Sequence, residues 1–180
     1  MIRLFVGLPL PVTVKERFAS LASGIPQAHW TPPANLHVTL RFIGEVDELQ
    51  AELIHDCLLG IRCPAFDATL TGCGTFDSGH RAHTLWVGVE RSPELMHLHE
   101  KVESAVVRAG LEPEGRKYTP HVTLARLRNA PLPRVQTYVA GNNLLRDEFR
   151  VECFTLFSSR LGHGDPVYTA EAEYGLELSL

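Results

Sequence analysis

The tetrapeptide His37-Val38-Thr39-Leu40 recurs unchanged as His121-Val122-Thr123-Leu124, 84 positions later. With 9 His, 15 Val, 12 Thr and 25 Leu in 180 residues, composition alone predicts only about 0.007 such copies. Duplication is therefore the first constraint on the fold. Side chains alternate across a strand, so a strand through each copy puts His and Thr on one face. Val and Leu then point the other way, into a core. A pseudo-twofold arrangement of the two strands brings two imidazoles and two hydroxyls to one cleft. A third His-x-Thr, His29-Trp30-Thr31, runs into Pro32-Pro33 and cannot extend as a strand.

The surrounding pattern is α+β. Residues 2–9, 36–43, 66–70, 84–89, 121–127, 148–158 and 167–173 read as strands. Helices are expected over 12–22, from the N-cap Asp47, and from Ser92-Pro93 to Gly110. Pro131 and Pro133 suggest a short fourth helix. No stretch resembles a flexible linker. The expectation is a single domain over 1–180, built from two pseudo-symmetric lobes. Each lobe is an antiparallel sheet with outer helices, and a central cleft lies between them.

The chemistry suited to two facing histidines is displacement at phosphorus. One His takes a proton from the attacking water while the other protonates the leaving oxygen. An ordinary pKa of about 6.5 keeps both forms accessible near neutrality. The hydroxyls of Thr39 and Thr123 can donate to non-bridging phosphate oxygens. The scheme needs no metal or cofactor. The histidines at 80, 83, 97 and 99 show no ligand pattern.

A net charge of −4 argues against non-specific nucleic-acid binding. Yet no acid occurs from Gly115 to Arg146, a stretch holding Arg116, Lys117, Arg126, Arg128, Arg134 and Arg146. It contains the second motif and could form an anion-facing wall. Cys57, Cys63, Cys73 and Cys153 lack zinc or redox spacing, which fits reduced thiols in a cytoplasmic protein. No apolar run approaches a membrane span.

The chain resembles the 2H phosphoesterase superfamily, specifically its bacterial RNA 2′,3′-cyclic phosphodiesterase (2′–5′ RNA ligase) family. Besides the two motifs, the resemblance rests on Arg3-Leu4-Phe5-Val6-Gly7-Leu8-Pro9, Trp30-Thr31-Pro32-Pro33-Ala34-Asn35-Leu36 and Arg41-Phe42-Ile43-Gly44-Glu45-Val46. It extends to Leu85-Trp86-Val87-Gly88-Val89, Ser159-Arg160-Leu161 and Gly164-Asp165-Pro166-Val167-Tyr168. It implies hydrolysis of a terminal 2′,3′-cyclic phosphate to a 2′-phosphate, with reversible 2′–5′ ligation. It also implies RNA ends as partners, His37 as proton donor and His121 as proton acceptor. Arg126 matches the family's basic residue after the second motif. A regular strand puts it on the wrong face, five positions from His121, so a bulge or strand end is required. Arg41, four positions from His37, shares its face in a regular strand and is the rival phosphate ligand. Phe42 is expected in the core, with base stacking as the alternative. A monomer is the default. The competing readings are a non-catalytic RNA- or nucleotide-binding module on the same fold, and a phosphodiesterase for small cyclic nucleotides.

Overall fold

A computed structural model describes residues 1–178. The elements run β1 (Ile2–Pro9), α1 (Val12–Ser20), β2 (Ala28–Trp30), β3 (His37–Val46), α2 (Glu48–Leu59), β4 (Phe66–Ser78) and β5 (Arg81–Val89). They continue with α3 (Pro93–Arg108), β6 (His121–Leu127), α4 (Leu132–Gly141), β7 (Arg146–Val151), β8 (Cys153–Arg160) and β9 (Val167–Gly175). Helix starts follow their caps. The Asp47 side chain accepts from Gln50 N, and Ser92 Oγ accepts from Leu95 N, with Pro93 in the first turn. Gly110, at φ 106°, takes the left-handed turn that ends α3.

The strands form one antiparallel sheet in the order β7-β4-β5-β6-β3-β1-β8-β9, with β2 added beside β6. Its two halves meet where the motifs meet: β3 and β6 share a single pairing, Val38 with Val122. Each half mixes distant parts of the sequence. The half holding the first motif is completed by β8 and β9, from the end of the chain. Two of the expected elements come out differently. The expected loop between the strands at 66–70 and 84–89 is instead an extended hairpin. Its tip is Gly79-His80, and Gly79 at φ 64° makes the tight turn. The expected strand at 148–158 is two strands, β7 and β8, which lie at opposite parts of the sheet.

The core lies between the sheet and the helices. Leu95, Leu98, Val102, Ala105 and Val106 of α3 are fully buried at helical spacing. Val38, Leu40, Val122 and Leu124 of the motifs are also buried, so half of each tetrapeptide contributes to stability. A buried Leu or Val side chain contributes about 2 kcal/mol.

Both motif strands carry a bulge at the same place. Against β1, Gly7 pairs with Thr39 but Val6 pairs with Arg41, so Leu40 is the extra residue. Against β5, Trp86 pairs with Thr123 but Leu85 pairs with Ala125, so Leu124 is the extra residue. Each bulge shifts the alternation by one. The burial sequences of His37–Phe42 and His121–Arg126 are identical as a result.

The bulge overturns the expectation for Arg41. Its side chain is turned away from the histidine face and is 7% exposed. Nε donates to Glu103 Oε2 at 2.6 Å, while the other nitrogens donate to the Phe42 and Glu112 carbonyls. Arg41 therefore pins α3 and the loop after it to β3, with its guanidinium off the histidine face. The same shift corrects Phe42, which is 49% exposed and not a core residue. Removing one partner of a buried, hydrogen-bonded ion pair strands the other. Arg41→Ala should therefore lower unfolding stability by about 3 kcal/mol, measured by urea denaturation. A loss of a few tenths would show that the pair does not anchor the helix.

Candidate active site

A cleft of about 620 Å³ opens along the junction of the two sheet halves. His37, Thr39, His121 and Thr123 all line it. The duplicated strands therefore bring the four predicted side chains together. The two imidazoles are held in the same way. His37 Nδ1 donates to the Asn35 carbonyl at 2.7 Å, and His121 Nδ1 donates to the Thr119 carbonyl at 2.7 Å. A carbonyl can only accept, so Nδ1 carries a proton in both rings and Nε2 is the working nitrogen. His37 Nε2 lies 2.9 Å from Thr39 Oγ1, which donates to it when the ring is neutral.

Aromatic rings fix both histidines. Phe5 packs on His37 at 4.8 Å between centroids, and Tyr168 meets it edge-on at 5.5 Å. Phe76 meets His121 edge-on at 4.8 Å. Gly7 lets β1 approach the β3 backbone directly beside the first ring. A Cβ there would stand 2.9 Å from the Val38 carbonyl oxygen and 3.4 Å from His37 Cδ2.

Burial lowers the pKa of both histidines, because the charged form loses hydration. The backbone carbonyl acts against this in each case. For His37, a positive charge on His121 lowers the pKa further. The two rings thus resist being protonated together.

Arg126 and Phe42 also line the cleft. They occupy matching positions after the two bulges, which supplies the irregularity that Arg126 needed. Arg41, at the position matching Ala125, is absent from the lining. Of the six basic residues in the acid-free stretch, only Arg126 and Arg128 line the cleft. Arg134 donates to the Gly24 carbonyl, and Arg146 lies 3.9 Å from Glu90. The stretch is therefore not a continuous wall.

Several cleft residues were not singled out from the sequence. Arg3 lies over the Phe42 ring at 5.2 Å. Phe5 and Tyr168 buttress His37, and His29 faces in from β2. The alternation of Arg3 and Phe5 along the first strand was a usable signal. Which strand lay beside it was not legible.

The family model of the 2′-5′ RNA ligase superfamily matches residues 11–163. The chain belongs to that superfamily. It is 31% identical to the RNA 2′,3′-cyclic phosphodiesterase of Escherichia coli, over 97% of this chain and 96% of the relative. It is 28% identical to the protein of the same name from Thermotoga maritima, over 92% and 91%. Among solved structures, E. coli LigT complexed with 3′-AMP superposes with a TM-score of 0.80, at 27% identity, covering 97% of this chain and 98% of that one. The expected α+β fold of two sheet halves around a cleft is thus found in this superfamily.

The lowered histidine pKa values have a consequence for stability. The unfolded chain, titrating near 6.5, binds protons that the folded chain refuses. The contribution of His37 and His121 is full above that pH and is lost as pH falls through the lowered folded values. Denaturant unfolding at pH 8 and pH 5 should show wild type losing more stability than the His37→Gln/His121→Gln double variant. Equal losses would contradict the assignment. Gly7→Ala should lower activity through displacement of His37, with Val6→Ala as the control for a mere loss of packing.

Proposed function

We propose that the protein is an RNA 2′,3′-cyclic phosphodiesterase, hydrolysing a terminal 2′,3′-cyclic phosphate to a 2′-phosphate. The observation that carries this reading is the pair of imidazoles on one cleft, each with Nδ1 tied to a backbone carbonyl. The superfamily membership and the names of the relatives support it.

In this reading the cyclic phosphate lies between the two motifs. His121 Nε2 accepts a proton from water as the water oxygen attacks phosphorus. His37 Nε2 donates its proton to the departing 3′ oxygen, leaving the phosphate on the 2′ oxygen. The reaction begins with His37 protonated and His121 neutral, and a charge on His121 opposes a second charge on His37. Burial disfavours a charged His37, and the negative phosphate restores it. Thr39 and Thr123 donate to the non-bridging oxygens, and Arg126 neutralises the developing charge. The exposed ring of Phe42 stacks on the terminal base. With a 5′-hydroxyl in place of water, the same step with the same histidine roles forms a 2′–5′ linkage, and its reversal, attack by the 3′-hydroxyl, exchanges those roles.

The chain is read as one working unit and a monomer, because one chain supplies both histidines and both sheet halves use strands from distant parts of it. No helix among the described residues is long and apolar enough to cross a membrane. The four cysteines are free thiols, which suits the cytoplasm.

His37→Ala and His121→Ala should each lower turnover of a 2′,3′-cyclic nucleotide by about 10²–10⁴-fold, with the fold intact by circular dichroism. Thr39→Ala and Thr123→Ala should fall in kcat more than they rise in KM. Activity should persist in EDTA. Full activity in either histidine variant, or binding of the cyclic nucleotide without turnover, would sink the mechanism.

A further inference from the structure

The cleft extends well past the two motifs. Beyond Arg126 its wall continues to Gln27, His29, Arg128 and Asp165. A single nucleotide held at the histidines has no evident use for this arm.

Four observations bear on what the arm holds. First, Arg126 near the end of β6 and Arg128 just beyond that strand both line the cleft, two positions apart. Both are exposed, and neither forms an ion pair among the described residues. Second, Asp165 is the one acid lining the cleft among the described residues. It is engaged by His29, with Nε2 2.6 Å from Oδ1, and forms no ion pair with Arg128 among the described residues. Third, that contact ties the loop after β8 to β2 and closes one side of the arm. Asn35 Nδ2 adds a second tie, donating to the Pro166 carbonyl at 2.9 Å. Fourth, Gln27 holds φ at 64° without being glycine. Such backbone costs of the order of 1 kcal/mol or more and clusters at ligand sites. Gln27 is next but one to His29, directly before the strand that pairs with β6.

We propose that this arm binds the phosphodiester linking the terminal nucleotide to the one before it, with Arg128 as its principal ligand. The inference rests on the cyclic phosphodiesterase reading of the cleft. Arg126 serves the reacting phosphate and Arg128 the next one along the chain. The arm reads backbone charge and not base identity, so it selects for an RNA chain over a free nucleotide without choosing its sequence. The Gln27 side-chain amide stands beside it as a further donor.

The test compares two substrates that share one reacting group. These are a 2′,3′-cyclic mononucleotide and a short oligoribonucleotide ending in the same cyclic nucleotide. Wild type should show the higher kcat/KM on the oligonucleotide. Arg128→Gln should lower that value by about tenfold, the worth of one charge-assisted hydrogen bond, mainly through KM. Mononucleotide turnover should stay where it was. The slope of log KM against log salt for the oligonucleotide should also shrink by about 0.7, one phosphate contact on a single strand. Arg128→Glu should widen the effect, and Arg134→Gln, outside the cleft, should have none. Arg128 is exposed, so its loss does not threaten the core. Equal effects on both substrates, or equal wild-type efficiency on both, overturn the proposal while leaving the cyclic phosphodiesterase intact. Failure of wild type to turn over either substrate overturns both.

Discussion

One extra residue in each motif strand decides which side chains can reach a bound phosphate. Strand alternation puts His and Thr on the cleft face and Val and Leu in the core. The bulge after Thr then resets that alternation, so Phe42 and Arg126 return to the cleft while Arg41 and Ala125 stay inside. Without it, Arg41 would share the face of His37 and Arg126 would be turned into the core. The bulge thus divides each strand between stability and chemistry. It also differentiates a duplicated site: at matching positions, one copy presents an aromatic ring and the other a cation.

The rest of the machinery holds two histidines that are costly to protonate. Each ring is half-buried among aromatic neighbours, and each Nδ1 is occupied by a carbonyl two residues earlier. This leaves one nitrogen per ring free to exchange a proton. Burial and mutual repulsion keep the pair from charging fully. In the proposed mechanism a phosphate between them supplies the compensating negative charge, so the acid is formed where it is used. The Arg41–Glu103 pair stands on the far side of the same strand. It fixes α3 against β3 and so supports the cleft from behind.

Much of this was legible in the chain. The duplicated tetrapeptide pointed to four cleft residues because period-2 alternation is local and strict. Helix ends were legible at Asp47, Ser92 and Gly110, where caps write local rules into the sequence. The bulges were not legible, because a bulge depends on pairing with a neighbour strand. Arg126 required one by its odd spacing from His121, while nothing in the sequence marks the matching bulge before Arg41 and Phe42. Strand order was hidden for a similar reason. Nothing local says that β8 and β9 complete the half begun by β1 and β3. The third His-x-Thr, at His29, runs into prolines that stop a strand from continuing. The short strand that ends at Trp30 is nevertheless long enough to place it in the cleft.

The central claim is that His37 protonates the 3′ oxygen while His121 activates water across one phosphate. The most direct measurement is the identity of the product from an RNA ending in a 2′,3′-cyclic phosphate, read by phosphorus NMR or by phosphatase-coupled mass spectrometry. The account predicts a 2′-phosphate with a free 3′-hydroxyl, formed by wild type and not by His37→Ala. A 3′-phosphate product would contradict it.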